Sequence, residues 1–251
     1  SLINDSELRG NSFRGCSFRE VDFSGIDLSE ADFAGARLES ARFARCNLRD
    51  ADFSGAELRN ADFTGAQLGG TSFAEADLSE AIFAEASLDF CDLDGCTLQG
   101  IDLRHATFQR TDFEGVDFTQ TRLGGNKFVV CNMKRVCCEG LDRSNFVFTD
   151  SDLERANLKD ARLDAADCTQ VSFRGADLRH ASFEGCAFSR TDFSEALLNE
   201  SRFDGCMLQS CGFERAVGHN VEFTNTDFSD AALGDAGFEG VQFTGIDLSA
   251  A

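Results

Sequence analysis

The chain has no proline, no tryptophan and no tyrosine, and only two methionines and three histidines among its 251 residues. Without proline, no turn relies on a locked φ, so another residue type must make its corners. Without tryptophan and tyrosine, no buried ring needs a partner for a polar edge. Three histidines far apart in sequence (His105, His180, His219) cannot supply a metal cluster with one another. No apolar run approaches the 18 or more residues of a membrane-spanning helix, and no signal peptide is visible at Ser1. No Walker loop, no GxGxxG context and no Ser/His/Asp arrangement occurs, so catalysis is not expected.

Aromatic content is instead carried by 26 phenylalanines. Of these, 24 fall on one arithmetic series. From Ile3 to Leu248 every fifth residue is large and apolar, and of 50 such positions only Arg143 and Gly218 depart. A period of five is neither the 3.6 of a helix nor the 2 of a strand, so it marks a repeat architecture. We call the large position the centre. Two residues before it lies a small residue, such as Ala31, Ala36, Ala41 or Cys46. Just before it Asp recurs, and Gly often stands two residues after it, as in Ala51-Asp52-Phe53-Ser54-Gly55. One small and one large inward residue separated by an outward one describe a very short strand. The Gly-, Ser- and Asn-rich pair that follows suits a tight corner.

The unit resembles the pentapeptide-repeat family, usually written A(D/N)LXX, over residues 2 to 250. The resemblance implies an all-β fold, a right-handed quadrilateral β-helix in which four pentapeptides make a square coil of 20 residues. The 251 residues would form about 12 coils in one domain, 1–251, stacked as a rod of roughly 60 Å at ordinary strand spacing. The centres give independent support for the square. Phe23, Phe43, Phe63 and Phe83 define wall one, and Phe33, Phe53 and Phe73 wall three. Leu28, Leu48 and Leu68 define wall two, and Leu38, Leu58 and Leu78 wall four. A 20-residue coil separates the two types into alternate walls, which a three-sided coil of 15 would not.

Eleven cysteines raise the question of metal or disulfide. Eight sit at the small inward position, Cys138 and Cys168 at centres, and only Cys137 points outward. They read as core filler. Cys186 and Cys206, one coil apart, fall within disulfide range, but stay thiols in a reducing cytosol. No catalytic residue, no metal ligand and no cofactor is expected.

Two segments break the pattern. Near 133–147, Arg143 takes a centre while Leu141 and Phe146 take small positions. A buried unpaired Arg is too costly, so the wall should bulge or slip, with Arg143 out and Leu141 and Phe146 in. Cys137, Cys138 and Arg143 form the candidate irregular site. Near 216–220, Gly218 replaces a large centre, and Val217 is expected to turn in.

Net charge is −21, with −12 in the first 125 residues, so acidity is spread along the chain. This disfavours direct contact with nucleic acid or an anionic membrane. Solubility alone accounts for it; the sharper reading is attraction of a basic partner. On wall one, alternating charges from Asp22 and Arg42 to Asp142 and Arg162 should form a ladder. On wall three, positions 32 to 115 carry Asp32, Asp52, Glu75, Asp92, Asp94, Asp112 and Glu114 with no Lys or Arg. That stripe is the candidate partner-binding surface.

Two functions follow as expectations. One is a rigid, non-catalytic scaffold or protein-interaction module in the bacterial cytoplasm, part of a larger protein, bound to a protein with a basic surface. Open coil ends at Ser1-Leu2-Ile3 and Leu248-Ser249-Ala250-Ala251 would need cover from a flanking domain, a partner or an end-to-end homodimer. The alternative, which the resemblance implies for some relatives, is a DNA mimic that binds DNA gyrase or topoisomerase and protects it from quinolones. A 60 Å acidic rod would match about 18 base pairs at roughly 3.4 Å each. This sequence shows neither the helical dimerisation segment nor the projecting loops of such relatives.

Overall fold

The computed structural model describes residues 8–246. The chain ends on which the end-capping expectation rests lie outside the described residues. The chain divides into two compact units, Ser1–Asp112 with Gln120–Lys127, and Phe113–Thr119 with Phe128–Ala251. Both are built the same way.

Every parallel bridge joins residues 20 apart, from Ser12↔Asp32 through Asp62↔Ile82 in the first unit and from Asp117↔Cys137 to Gly212↔Ala232 in the second. The ladder runs through the centre. Phe33 N–H donates to Asp52 O at 2.7 Å, and Asp52 N–H donates back to Ala31 O at 2.9 Å. The corner follows at once: Ala36 N–H donates to Phe33 O at 2.9 Å, closing a four-residue turn. The second residue after the centre takes a left-handed φ at corner after corner, as at Gly55 (65°), Asn60 (58°) and Asp160 (58°). A positive φ at that place alone is the signature of a type II turn, which favours Gly and Asn there. A turn every five residues and a register of 20 give four walls per coil, and strands stacked this way form a parallel β-solenoid.

Pairing extends to three residues in ten strands among the described residues. They are β1 (Thr107–Gln109), β2 (Lys127–Val129), β3 (Asp142–Ser144), β4 (Arg162–Asp164), β5 (Ser182–Glu184), β6 (Arg202–Asp204), β7 (Val217–His219), β8 (Glu222–Thr224), β9 (Gly237–Glu239) and β10 (Gln242–Thr244). In the second unit wall one is a six-stranded parallel sheet, β10-β8-β6-β5-β4-β3, and β7 pairs with β9 on wall four.

The interior is filled by the centres. In the first unit Phe33 and Phe53 stack at 5.0 Å and 4°, and Phe43 and Phe63 at 5.0 Å and 8°. The two phenylalanine walls also meet each other edge to face, Phe43 against Phe53 at 5.5 Å and 79°. Each ring thus has stacked partners along its wall and edge contacts across the interior, the two arrangements aromatic quadrupoles favour. The second unit repeats this with Phe193 on Phe213 at 5.0 Å and Phe203 on Phe223 at 5.1 Å.

The small inward position carries a second device. At several of its polar occupants the side chain donates to the carbonyl of the centre 23 residues back. Thr71 reaches Leu48 O at 2.7 Å, Ser151 reaches Phe128 O at 3.0 Å and Cys186 reaches Leu163 O at 2.9 Å. A polar group with such a bond is not a defect in this core, because its donor is satisfied; the buried hydroxyls of Thr121 and Thr226 are the exceptions, with no partner among the described residues.

Candidate functional site

The Asp that precedes a centre is first a corner residue. Its Oδ1 accepts the N–H two residues on: Ser54 N–H at 2.8 Å for Asp52, Asp94 N–H at 3.0 Å for Asp92. This Asx turn supports the strand-to-corner step and turns each carboxylate toward solvent.

Wall three of the first unit lines up Asp32, Asp52, Ser72 and Asp92 as consecutive bridged residues, with Glu75 and Asp94 exposed beside them. Among the described residues no Lys, Arg or His lies within ion-pair distance of Asp52, Glu75, Asp92 or Asp94. The expectation of a wholly uncompensated stripe needs correction at its ends. Arg14 pairs with Asp32 at 3.2 Å. Partial burial of Asp32 is outweighed by the Ala34 N–H and the Arg14 guanidinium, which hold its carboxyl below the ordinary range. Glu114, in the second unit, is paired with Arg135 and accepts from the Asn132 amide at 3.2 Å. Asp112 is an exposed residue of the first unit.

Acids elsewhere are more often matched. Arg9 meets Glu30 at 2.6 Å, Arg19 meets Glu39 at 2.5 Å, and Lys134 meets Asp152 at 3.1 Å and Glu154 at 3.3 Å. The wall-one ladder forms at Asp22–Arg42, 3.1 Å apart. At Arg104 and Arg162 it gives way to pairs within one coil, Arg104 with Asp102 at 2.6 Å and Arg162 with Asp164 at 3.1 Å, and a cross-coil pair returns at Arg202–Glu222, 3.2 Å apart. A side chain two residues away on the same pleat face competes well with one on the next coil.

At the irregular site Arg143 is exposed and Phe146 fully buried, as the pattern required. Phe146 stacks on Phe148 at 5.4 Å and 24°. Leu141 is only half-buried. The register does not slip: Arg143 stays opposite Leu163, and its guanidinium donates to the carbonyl of Asp142. β3 ends the six-stranded sheet, so its side chains can face solvent with the ladder to β4 intact. Cys137 and Cys138 point to opposite sides. Cys137 is half-buried and takes a weak contact from the Asn157 amide at 3.7 Å. Cys138 is buried, and burial pushes its thiol up to about 12. The two thiols do not form one site, and Arg143 lies on the following wall.

Val217 is 47% exposed rather than turned in. The room at Gly218 is taken by Val221, at a small position, and by Phe238 from the next coil.

The sequence reading missed one surface residue. Phe90 stands at a corner, has φ of 59° and is 55% exposed. The signal was available: Phe90 and Phe146 are the two phenylalanines off the fifth-residue series, and Phe90 falls at a corner where the preceding coils place Gly10, Glu30, Asp50 and Gly70.

Among the described residues no helix is long and apolar enough to cross a membrane. A comparison with curated proteins finds no match. Among solved structures, HetL from the cyanobacterium Nostoc sp. strain PCC 7120, involved in heterocyst differentiation regulation, is 22% identical over 94% of this chain and 92% of its own, with a TM-score of 0.35. Full-length QnrB1, a plasmid-mediated fluoroquinolone resistance protein, is 18% identical over 93% of each chain, TM-score 0.32. Rfr23 from the cyanobacterium Cyanothece 51142 is 16% identical over 64% of this chain and 91% of its own, TM-score 0.32. The pattern of a pentapeptide repeat region matches residues 6–83 and 176–251, and that of pentapeptide repeats in eight copies matches overlapping stretches between 86 and 190. With those matches over most of its length, the chain belongs to the pentapeptide-repeat family.

Proposed function

We propose that the protein is a non-catalytic interaction module of the bacterial cytoplasm whose third wall binds a protein with a basic surface. The observation that carries this reading is the run of Asp52, Glu75, Asp92 and Asp94, which have no basic partner within ion-pair distance on a chain that pairs many of its other acids. Like charges on adjacent coils, as at Glu75 and Asp94, whose backbones are hydrogen-bonded, repel one another, and a cationic partner relieves that repulsion. Eleven free thiols agree with a reducing compartment.

The test is a fourfold neutralisation, Asp52→Asn, Glu75→Gln, Asp92→Asn and Asp94→Asn. Asn keeps the Oδ1 acceptor of the Asx turn. A control neutralises Glu20, Glu80, Glu85 and Glu200 instead. Binding of a cationic probe protein at physiological salt should weaken in the wall-three variant and persist in the control. Equal behaviour of the two variants would overturn the reading. A DNA mimic acting on gyrase draws on the same net charge of −21; on the reading favoured here, gyrase supercoiling with and without a quinolone is unchanged by the protein.

A further inference from the structure

Phe90 contributes little to holding the coil together. The residue is 55% exposed and its backbone sits at φ 59°, a conformation that costs a bulky L-residue and that Gly or Asn takes with less strain. Its place in the stack is well defined. Gly70 N–H donates to Asp89 O at 2.8 Å and Phe90 N–H to Gln109 O at 2.9 Å, so Gly70, Phe90 and Arg110 follow one another at the same corner of successive coils. On one side the Arg110 guanidinium carbon lies 5.5 Å from the ring centre. On the other, Gly69 and Gly70 contribute no side chain, and what enters the gap is the Asp50 carboxylate, crossing Gly70, with the Arg49 stem beside Gly69. Asp89, Asp92 and Asp94 flank the ring in sequence.

The geometry points to a docking notch in which Phe90 anchors an arginine-bearing basic segment of a partner protein. The incoming guanidinium stacks on the ring face opposite Arg110, and the Asp50, Asp89 and Asp92 carboxylates accept its N–H groups. Charge decides the occupant: the Asp50 carboxylate lies at the neighbouring corner, Asp89 adjoins Phe90 in sequence and Asp92 is two residues on, so an acidic segment is repelled here. Arginine is favoured over lysine because its planar, weakly hydrated head stacks on a ring while forking onto carboxylates. This inference rests on the acidic-wall reading, but adds an aromatic contact that charge alone does not supply.

The probes are nona-arginine and nona-lysine peptides, titrated by fluorescence anisotropy into the full chain and into Phe90→Asn. Asn suits the left-handed corner, so the variant should fold, with a melting temperature equal to or above that of the parent. Nona-arginine should bind the parent more tightly than nona-lysine, and Phe90→Asn should lose about three- to tenfold in arginine affinity while lysine affinity hardly moves. Unchanged arginine affinity in Phe90→Asn, with loss in the fourfold acidic variant, would overturn the notch and leave the acidic wall standing. Failure of both peptides to bind the parent would overturn the notch and the acidic wall together.

Discussion

Phe238 fills the place that Gly218 leaves empty. A β-carbon at Gly218 would stand 2.8 Å from Cδ1 of Phe238 and 2.5 Å from Cγ2 of Val221. Phe238 is the strand partner of Gly218 across β7 and β9, and it also reaches Phe213 at 6.2 Å and Phe223 at 6.3 Å. Restoring the repeat at this point should therefore harm the fold. Gly218→Leu follows the five-residue pattern yet should destabilise by about 1–3 kcal/mol through overpacking. Adding Val221→Ala should recover part of the loss. Denaturant melts of the two variants decide the matter, and a stabilised Gly218→Leu would contradict the packing described.

What the sequence made legible is what the inward positions dictate. Phe33, Phe53, Leu38 and Leu58 announce the walls because each must meet its copy 20 residues on, and Phe146 had to be buried because it is too large and apolar for the surface. The misses share a cause: they depend on which neighbouring side chain wins a contest. Val217 stays out because Val221 and Phe238 already occupy the space. Asp32 and Glu114 are neutralised by Arg14 and Arg135, which lie just beyond the two ends of the stripe. Phe90 escaped notice because its meaning lies in the absence of side chains at Gly69 and Gly70, one coil earlier.

Two threonines at equivalent inward positions should respond in opposite ways to the same substitution. Thr71 donates to Leu48 O at 2.7 Å, whereas the buried hydroxyl of Thr226 has no hydrogen-bond partner. Thr71→Val should cost about 0.5–1.5 kcal/mol. Thr226→Val removes an unsatisfied polar atom and should be neutral or stabilising. Equal losses in urea melts would refute the role assigned to the donor at this position.

Thiol accessibility should follow exposure rather than register, because Cys16, expected to point inward with the other small positions, is exposed. Cys16 is exposed and Cys137 half-buried. Burial pushes the thiols of Cys138 and Cys211 up to about 12, and that of the half-buried Cys96 also to about 12. Since the thiolate is the nucleophile, iodoacetamide at mildly alkaline pH should label Cys16 first, then Cys137, and leave Cys138 and Cys211 intact until the chain is unfolded. Peptide mapping by mass spectrometry reads this directly. Labelling of Cys138 as fast as its neighbour would mean that wall four opens.

The corner carboxylates should make stability sensitive to acid. Hydrogen bonds from the side chains and N–H groups of Ser29 and Thr119 hold Asp27 and Asp117 below the ordinary carboxylate range, and Ser229 acts likewise on Asp227. A folded-state pKa lowered beneath the unfolded value of about 3.9 contributes stability above that value and loses it as pH falls through the lower folded one. The melting temperature should therefore hold from neutral pH to about 4 and decline below it, beyond any change due to net charge. In a triple variant, Asp27→Asn, Asp117→Asn and Asp227→Asn, the amide oxygen still accepts the corner N–H but no longer titrates. Its melting temperature should be lower than the parent's at neutral pH and converge with it in acid. Parallel pH profiles for the two proteins would show that these corners do not couple proton binding to folding.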